Sequence, residues 1–395
     1  MDVRRAKFIR ARKAAGFTQE ALAVAMKVDR ATVRRWESGE AEPLAYRRPR
    51  LASLLKVSLT VLEALLLEDD RDADVDRREF MGMAGGVVLN MATPMWPPPS
   101  LRAEERDCRH LLDRTARMRR LDNYLGGRDT YNLYATELAS TVDYVRSASC
   151  TPAVHAKLVE VIAEQAQLAG WAAFDAGMHI EAKRHYDDSL RAAKQVENGA
   201  LAGNALAFLA YQEISISKPN VELSEASFSA AKGDATPRVK ALLLERKAWT
   251  HASAGDFQAT EESLEKAKAS LHHQDSRPEP DWVFWVDENE IDIMAGRCWA
   301  ELRKPLRAVS VLENALGRVD DTHARDKALY MTSLADALID AQEIERAVSV
   351  VQKSMTLAQG VGSVRPMNRI NKTLQKLRIY KDSGPVVQLF EKLRT

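Results

Sequence analysis

The 395-residue chain is short of several things, and each shortage excludes a class of protein. It has only three cysteines, Cys108, Cys150 and Cys298, far apart and with no CxxC pair. A disulfide framework or a cysteine zinc site is therefore not expected, and the usage fits a reducing cytoplasm. No apolar run reaches the roughly 18–20 residues needed to cross a bilayer, so no membrane partner is expected. A net charge of +1 gives, by itself, no argument for a polyanionic partner. There is no glycine-rich phosphate loop and no GxSxG, HExxH or paired-carboxylate motif, so no enzyme and no cofactor is indicated. His179 and His185 stand six residues apart, a poor metal spacing, and His272-His273 sit in a polar stretch beside Gln274 and Asp275. From Leu101 onward no segment reads convincingly as a strand.

What is present is a globular composition, 46% apolar and 29% charged, on a chain too long for one ordinary core. Its charge is uneven. Residues 1–68 hold 14 Lys and Arg against 8 Asp and Glu, a net +6, which leaves −5 for the remainder. A basic head on a mildly acidic body fits a nucleic-acid-binding module joined to something else. The head is expected to span 1–68 and the body 101–395, with a linker over 69–100. The linker opens on an acidic run, DDRDADVD (69–76), and ends in Pro94 and Pro97-Pro98-Pro99. Within it, Arg77-Arg78-Glu79-Phe80-Met81 and the following GMAGGVVLNMA resemble a twin-arginine export signal. Such signals act near an N-terminus, and this one follows a complete head, so a linker whose apolar face packs on a neighbour is the simpler reading.

In the head, residues 3–15 predict an amphipathic helix with Phe8 and Ile9 inward, closed by Gly16. Pro43 and Pro49 bracket a basic loop, and Leu51–Leu67 is helical again. Between these, Thr18 to Gly39 (TQEALAVAMKVDRATVRRWESG) reads as two short helices and a tight turn, with Thr18 and Asp29 as N-caps. Ala23 must be small because the second helix crosses over it, and Val33 and Trp36 face inward. That leaves Arg30, Ala31, Arg34 and Arg35 near the outer face, where the first turn of a helix can enter a major groove. Arginine is the commonest bidentate partner of guanine, and on a phosphate it serves for position only. Arginines also occur on helices simply as a solvated face. The strings TQEALA and RATVRRWESGEAEP resemble the phage-repressor-like, XRE-type helix-turn-helix family over residues 3–67. The resemblance implies binding to double-stranded operator DNA, often as a homodimer. By position it implies that Gln19 contacts phosphate or base, that Arg30, Ala31, Thr32 and Arg35 read bases, and that Arg34 flanks them. Lys27 stands where that family usually has a turn glycine, and a left-handed non-glycine costs about 1 kcal/mol.

The body predicts long amphipathic helices, including a face of Tyr131, Tyr134, Leu138, Val142 and Val145 and another of Leu158, Val161, Ile162, Gln165 and Leu168. The arginines before Leu125-Gly126-Gly127 (Arg114, Arg117, Arg119, Arg120) read as a solvated helix face or a second contact to DNA backbone. A pattern of small–x11–Ala–x3–bulky–x2–small then recurs. It appears at Gly170/Ala182/Tyr186/Ser189, at Gly296/Ala308/Leu312/Ala315, at Ala335/Ala347/Val351/Ser354 and, with Thr in place of Ala, at Ala248/Thr260/Leu264/Ala267. The first positions are 78, 48 and 39 residues apart. Since 78 is twice 39, a degenerate unit is expected around Asn204–Ala231, and a proline-rich insertion near Ser276–Pro280 accounts for the 48. Small residues at this spacing let two helices cross closely and stack on the next pair.

The pattern resembles tetratricopeptide repeats over roughly residues 155–360. The expected fold is thus all-α, a small lambda-repressor-like head followed by a right-handed tetratricopeptide-like superhelix. In that register the inner helices present Glu164, Gln167, Trp171, Glu245, Trp249, Glu290, Arg297 and Asp336 to one groove. Asn204 and Tyr211 join from the degenerate unit, and Trp282 and Trp285 precede the fourth. Rings, carboxylates and an amide together suit an extended peptide, although the tryptophans would equally fill gaps between helices. A head of this type on such a body resembles the peptide-sensing RRNPP regulators of Gram-positive bacteria. Through MRRLDNYLGG and LAGWAAFDAG it resembles the actinobacterial XRE–tetratricopeptide regulators still more closely. The resemblance implies a cytoplasmic, quorum-sensing type of transcription regulator with a short signalling peptide or a partner protein as ligand. The alternative is an interaction scaffold that recruits another regulator and has no small ligand.

Overall fold

The structure is a computed structural model that describes residues 5–44, 47–55, 62, 65–66, 102–122, 125–216, 218–321, 323–359 and 361–393. The acidic run 69–76, the Arg77-Arg78 segment and the prolines at 94 and 97–99 lie outside those residues. The chain divides into two compact units, Met1–Pro98 and Pro99–Thr395. Among the described residues every regular element is helical, and the one extended pairing is an isolated bridge between Arg102 and Ser149.

In the first unit, α1 (Ala6–Ala14), α2 (Gln19–Met26), α3 (Arg30–Glu37) and α4 (Arg48–Leu55) surround a core that includes Phe8, Leu22, Val33, Trp36, Leu51 and Leu55. The caps are where the sequence puts them. Thr18 Oγ1 accepts from the Ala21 amide at 3.0 Å and Asp29 Oδ1 from the Thr32 amide at 2.5 Å. Between α2 and α3, Lys27 takes left-handed geometry at φ 53°, ψ 51°. Gly16 closes the α1 turn at φ 84°. Two expectations change here. The basic residues Arg48 and Arg50 open α4 rather than lying in a loop, a position that suits Pro49, whose missing N–H costs nothing in a first turn. Ile9 is only half-buried, whereas Arg12, from the polar side of the expected helix, is buried.

In the second unit, α5 (Glu105–Leu121) and α6 (Gly127–Ser147) pack on α7 (Pro152–Asp175), followed by α8 (His179–Gln195). Further hairpins follow: α9 (Gly199–Ile216) with α10 (Val221–Ala231), and α11 (Pro237–Ser253) with α12 (Phe257–Leu271). They continue with α13 (Glu288–Glu301) and α14 (Pro305–Gly317), then α15 (Ala324–Asp340) and α16 (Ile344–Ala358). α17 (Arg365–Leu377) and α18 (Gly384–Lys392) end the described chain. From α6 to α17 each helix packs on the next, and the odd-numbered helices α7 to α17 also pack on one another in succession, forming an inner row. The α9–α10 hairpin occupies the place expected for a degenerate unit. On α6 the buried face is Leu133, Tyr134, Glu137, Leu138, Thr141 and Tyr144, so Val142 and Val145 are displaced to its margin.

The small–bulky pattern explains the hairpins physically. A methyl group on Gly170 would lie 2.5 Å from Cε1 of Tyr186, and one on Gly296 would lie 2.5 Å from Cγ of Leu312. Each glycine thus faces the bulky residue of its own repeat, and the other repeat positions are buried as well. Seven residues past each repeat's first position stand Gly177, Gly255, Arg303 and Gln342, and all four adopt positive φ, between 51° and 83°. The turn demands one conformation, and glycine supplies it in only two of the four copies.

The inner row is tied at its ends. Asp175, at the end of α7 and fully buried, accepts through Oδ2 from the Gly127 amide at 2.8 Å and through Oδ1 from Ser363 Oγ at 2.8 Å. Its carbonyl accepts from the Val364 amide at 3.1 Å, and Arg365 Nη1 approaches Oδ1 to 3.5 Å. The Arg128 amide donates to the carbonyl of Gly362 at 2.8 Å. The beginning and end of the repeat array therefore meet, and the inner helices surround a cavity.

Candidate nucleic-acid interface and interior cavity

On α3 the side chains sort by face. Val33, Trp36 and Glu37 are buried, while Arg30, Ala31, Arg34 and Arg35 are exposed and Thr32 is half-buried. Arg34 and Arg35 have no carboxylate within salt-bridge distance among the described residues, whereas Arg30 Nη1 pairs with Glu20 at 2.7 Å. Beneath this face lies a charged anchor that the sequence did not announce. Glu37, at 5% exposure, accepts from Arg12 Nε at 2.6 Å and from Gln19 Nε2 at 2.5 Å, and its carbonyl accepts from the Arg5 amide at 2.8 Å. Arg5 also donates to the carbonyls of Trp36 and Ala41. One carboxylate thus fixes α1, α2 and α3 together. Gln19 takes part, accepting from Arg30 Nε at 3.4 Å, so its amide orients the two helices.

Two helices at a tight turn, the second with a buried inner face and a cationic outer face, form the arrangement that inserts into a major groove. Residues 9–62 match the helix-turn-helix family. The N-terminal unit contains a helix-turn-helix domain. The match suggests a DNA-binding transcription regulator, and a helical region follows this domain in the chain. No curated protein matches the chain in sequence. Among the described residues no helix is long and apolar enough to cross a membrane.

The helical region contributes the second candidate site, a cavity of about 510 Å³ inside the inner row. Its wall brings together Glu164, Gln167, Trp171, Asn204, Tyr211, Trp285, Glu290 and Arg297, eight residues assigned to the groove on sequence grounds, and Trp282 with them. Three others are not on it. Glu245 is fully buried beside Arg246, and Trp249 lies behind Arg297, whose guanidinium is 4.5 Å from its ring. Asp336 is spent on α17, accepting from Thr373 Oγ1 at 2.8 Å and pairing with Lys376 at 2.9 Å. The expected register was one residue out on α11: Arg246, not Glu245, reaches the cavity.

Several wall residues satisfy one another. Asn204 Nδ2 donates to Gln167 Oε1 at 2.6 Å, and Gln167 Nε2 donates to Ser189 Oγ and the Leu201 carbonyl, each at 3.0 Å. Trp171 Nε1 donates to Asp122 Oδ2 at 2.9 Å, which Arg325 Nη1 also approaches to 2.9 Å. Burial pushes Asp122 up to about 6, against the pull of Arg325. Glu164 pairs with Arg119 at 2.7 Å. Arg119 and Arg120 both hold Asp281, in the connection between α12 and α13 that also supplies Trp282, Phe284 and Trp285 to the wall. Arg114 pairs with the buried Glu137. Arg114 and Arg119 are therefore structural, not a solvated face, and the residues just after the proline-rich insertion are a piece of cavity wall.

Tyr211 lies at the centre of the cationic side. Its hydroxyl accepts from Arg365 Nη2 at 2.9 Å and from Arg297 Nη2 at 3.1 Å, and the Arg246 guanidinium lies 4.8 Å from its ring. Burial pushes the phenol up, but the three guanidiniums outweigh it and bring Tyr211 down to about 7. Sequence reasoning found Tyr211 and Arg297 but missed Asp122, Arg246, Arg325 and Arg365. Asp122 sits inside MRRLDNYLGG and Arg246 beside Glu245. Arg365 has no local signal, because only the meeting of the array's ends brings it to Tyr211.

Proposed function

We propose that the protein is a sequence-specific transcription regulator that binds a two-fold symmetric operator as a homodimer, with Ala31, Arg34 and Arg35 at the DNA. Arg30 and Thr32 read bases beside them, and Gln19 holds the entry of α2 toward the backbone. The observation that carries this reading is α3 itself, with Trp36 and Glu37 locked inward and two uncompensated arginines outward. The region after residue 100 acts as a tetratricopeptide-like sensor, and its cavity is where a peptide or partner segment changes the affinity for DNA. Support comes from the repeated glycine-on-bulky crossing, the inner row of helices and the aromatic, charged cavity it surrounds. Selection from randomised duplex DNA tests the first part. An enriched palindrome with half-sites about one helical turn apart, bound by a dimer in sedimentation and weakened steeply by salt, is the expected result. Failure to enrich any sequence, or a flat salt response, overturns it.

A further inference from the structure

Of the guanidiniums around Tyr211, Arg246 approaches Glu245 and Arg365 approaches Asp175, but Arg297, 7% exposed, has no carboxylate within salt-bridge distance among the described residues. Apart from Tyr211, its hydrogen-bond acceptor is the thioether of Met294, at 3.0 Å, and Arg246 Nη1 also points at that sulfur, at 3.8 Å. A thioether is a weak acceptor, so the buried Arg297 and the half-buried Arg246, whose Nε also lies 3.2 Å from Glu245 Oε1, each spend a donor on a poor partner. The nearest acids compensate poorly. Burial pushes the carboxyls of Glu245 and Glu290 above the usual range, and Arg365 shares Asp175 with Arg325 and with two other donors. Arg246, Arg297 and Arg365 thus gather on one side of the cavity, with the Tyr211 hydroxyl and the Met294 thioether as shared acceptors.

Flat apolar surface surrounds it. The Trp171 ring lies 5.8 Å from Phe208 and 6.1 Å from Tyr211, Arg365 covers Trp171 at 4.6 Å, and Trp285 stands 5.7 Å from Arg246. Resting on the reading of the cavity as a sensor, we propose that it binds a compact ligand carrying an oxyanion on a flat apolar body. The oxyanion is held by Arg246, Arg297 and Arg365, and the body lies among Trp171, Phe208 and Trp285. A carboxylate, sulfonate or phosphate offers these arginines a stronger acceptor than the Met294 thioether, and planar oxyanions meet guanidinium forks two bonds at a time. Arg365 gives the site a structural consequence, because the same guanidinium approaches the Asp175 tie that joins the two ends of the array.

Two dyes with one aromatic skeleton test this on the full chain: anilinonaphthalene sulfonate and its uncharged parent N-phenylnaphthylamine. The sulfonate should bind at one site at least tenfold more tightly than the parent. Arg297→Gln and Arg246→Gln should each weaken the sulfonate tenfold or more while leaving the parent dye within twofold, which also reports an intact cavity. Arg307→Gln removes a guanidinium that covers Trp299 at 4.2 Å away from the cavity wall, and should change neither dye. Equal binding of the two dyes, or a sulfonate affinity indifferent to Arg246 and Arg297, refutes the oxyanion site while the sensor reading stands. No binding of either dye removes both. To separate sources, bound sulfonate dye is displaced with N-acetyltryptophan, a peptide-terminus mimic, and with naphthoate, a free aromatic acid. Displacement by either acid, but not by N-acetyltryptophanamide, supports the site and names its source, and equal displacement by the amide contradicts it.

Discussion

Arginine does opposite things in the two units. In the helix-turn-helix domain Arg34 and Arg35 project outward with no carboxylate partner among the described residues, from a helix whose other face is core. In the helical region Arg246, Arg297 and Arg365 turn inward onto Tyr211 and the rings around it. The outward pair costs little, because water and then phosphate or base oxygens satisfy it. The inward set is stable only because a phenol, aromatic faces and a few buried carboxylates share its charge. The contrast also teaches what fixes each arrangement. A local helix turn places the first, and the meeting of residues 35 to 154 apart places the second.

Breaking the buried charge that orders each unit should have the largest effect. Asp175→Ala removes the acceptor for the Gly127 amide and Ser363 and leaves Arg325 and Arg365 undercompensated, and Glu37→Ala strands Arg12. Each should cost about 3–5 kcal/mol of its own unit's stability. Segment-resolved hydrogen exchange should show the Glu37 effect within residues 5–55 and the Asp175 effect beyond residue 100. Spread of either effect into the other unit would break the comparison.

Next in size is the titration of Tyr211. Its pKa is about 7 when folded against an ordinary value of about 10, so the tyrosinate's stabilisation is complete above pH 10 and is lost as pH falls through 7. The stability difference between the native chain and Tyr211→Phe should therefore grow from pH 7 to pH 10, by an amount on the order of 2–4 kcal/mol. Urea unfolding across that range, with tyrosinate absorbance as a second readout, checks it. A pH-independent difference would mean that the three arginines do not act on the phenol.

Smaller effects probe the repeat. Gly170→Ala and Gly296→Ala push a methyl into Tyr186 and Leu312 and should each destabilise by about 1–3 kcal/mol in thermal unfolding. Smallest are Arg303→Gly and Gln342→Gly, which relieve left-handed strain and should gain up to about 1 kcal/mol. A loss at both positions would show that their side chains, not the turn, matter there.

The same locality explains how much was legible in the sequence. Thr18, Asp29, Val33 and Trp36 give the helix-turn-helix geometry because caps and helical period act over a few residues. Gly170 with Tyr186 and Gly296 with Leu312 give the hairpins because both partners lie in one repeat. Glu37 was not foreseen as an anchor, since a glutamate ending a charged helix reads as exposed until Arg12 and Gln19 are seen to converge on it. Arg246 was missed by a single residue of helical register. Arg365, Asp175 and the Asp281 connection depend on which distant segments meet, and no spacing rule in the chain states that.

The central claim is that the outward arginines of α3 read DNA. Its most direct test is the affinity of Arg35→Ala for the selected operator, measured by fluorescence anisotropy beside a scrambled duplex, with circular dichroism to confirm the fold. A loss of about 1–3 kcal/mol on the operator and a much smaller change on the scrambled duplex is predicted. Unchanged operator affinity in a folded variant, or an equal loss on both duplexes, would contradict it.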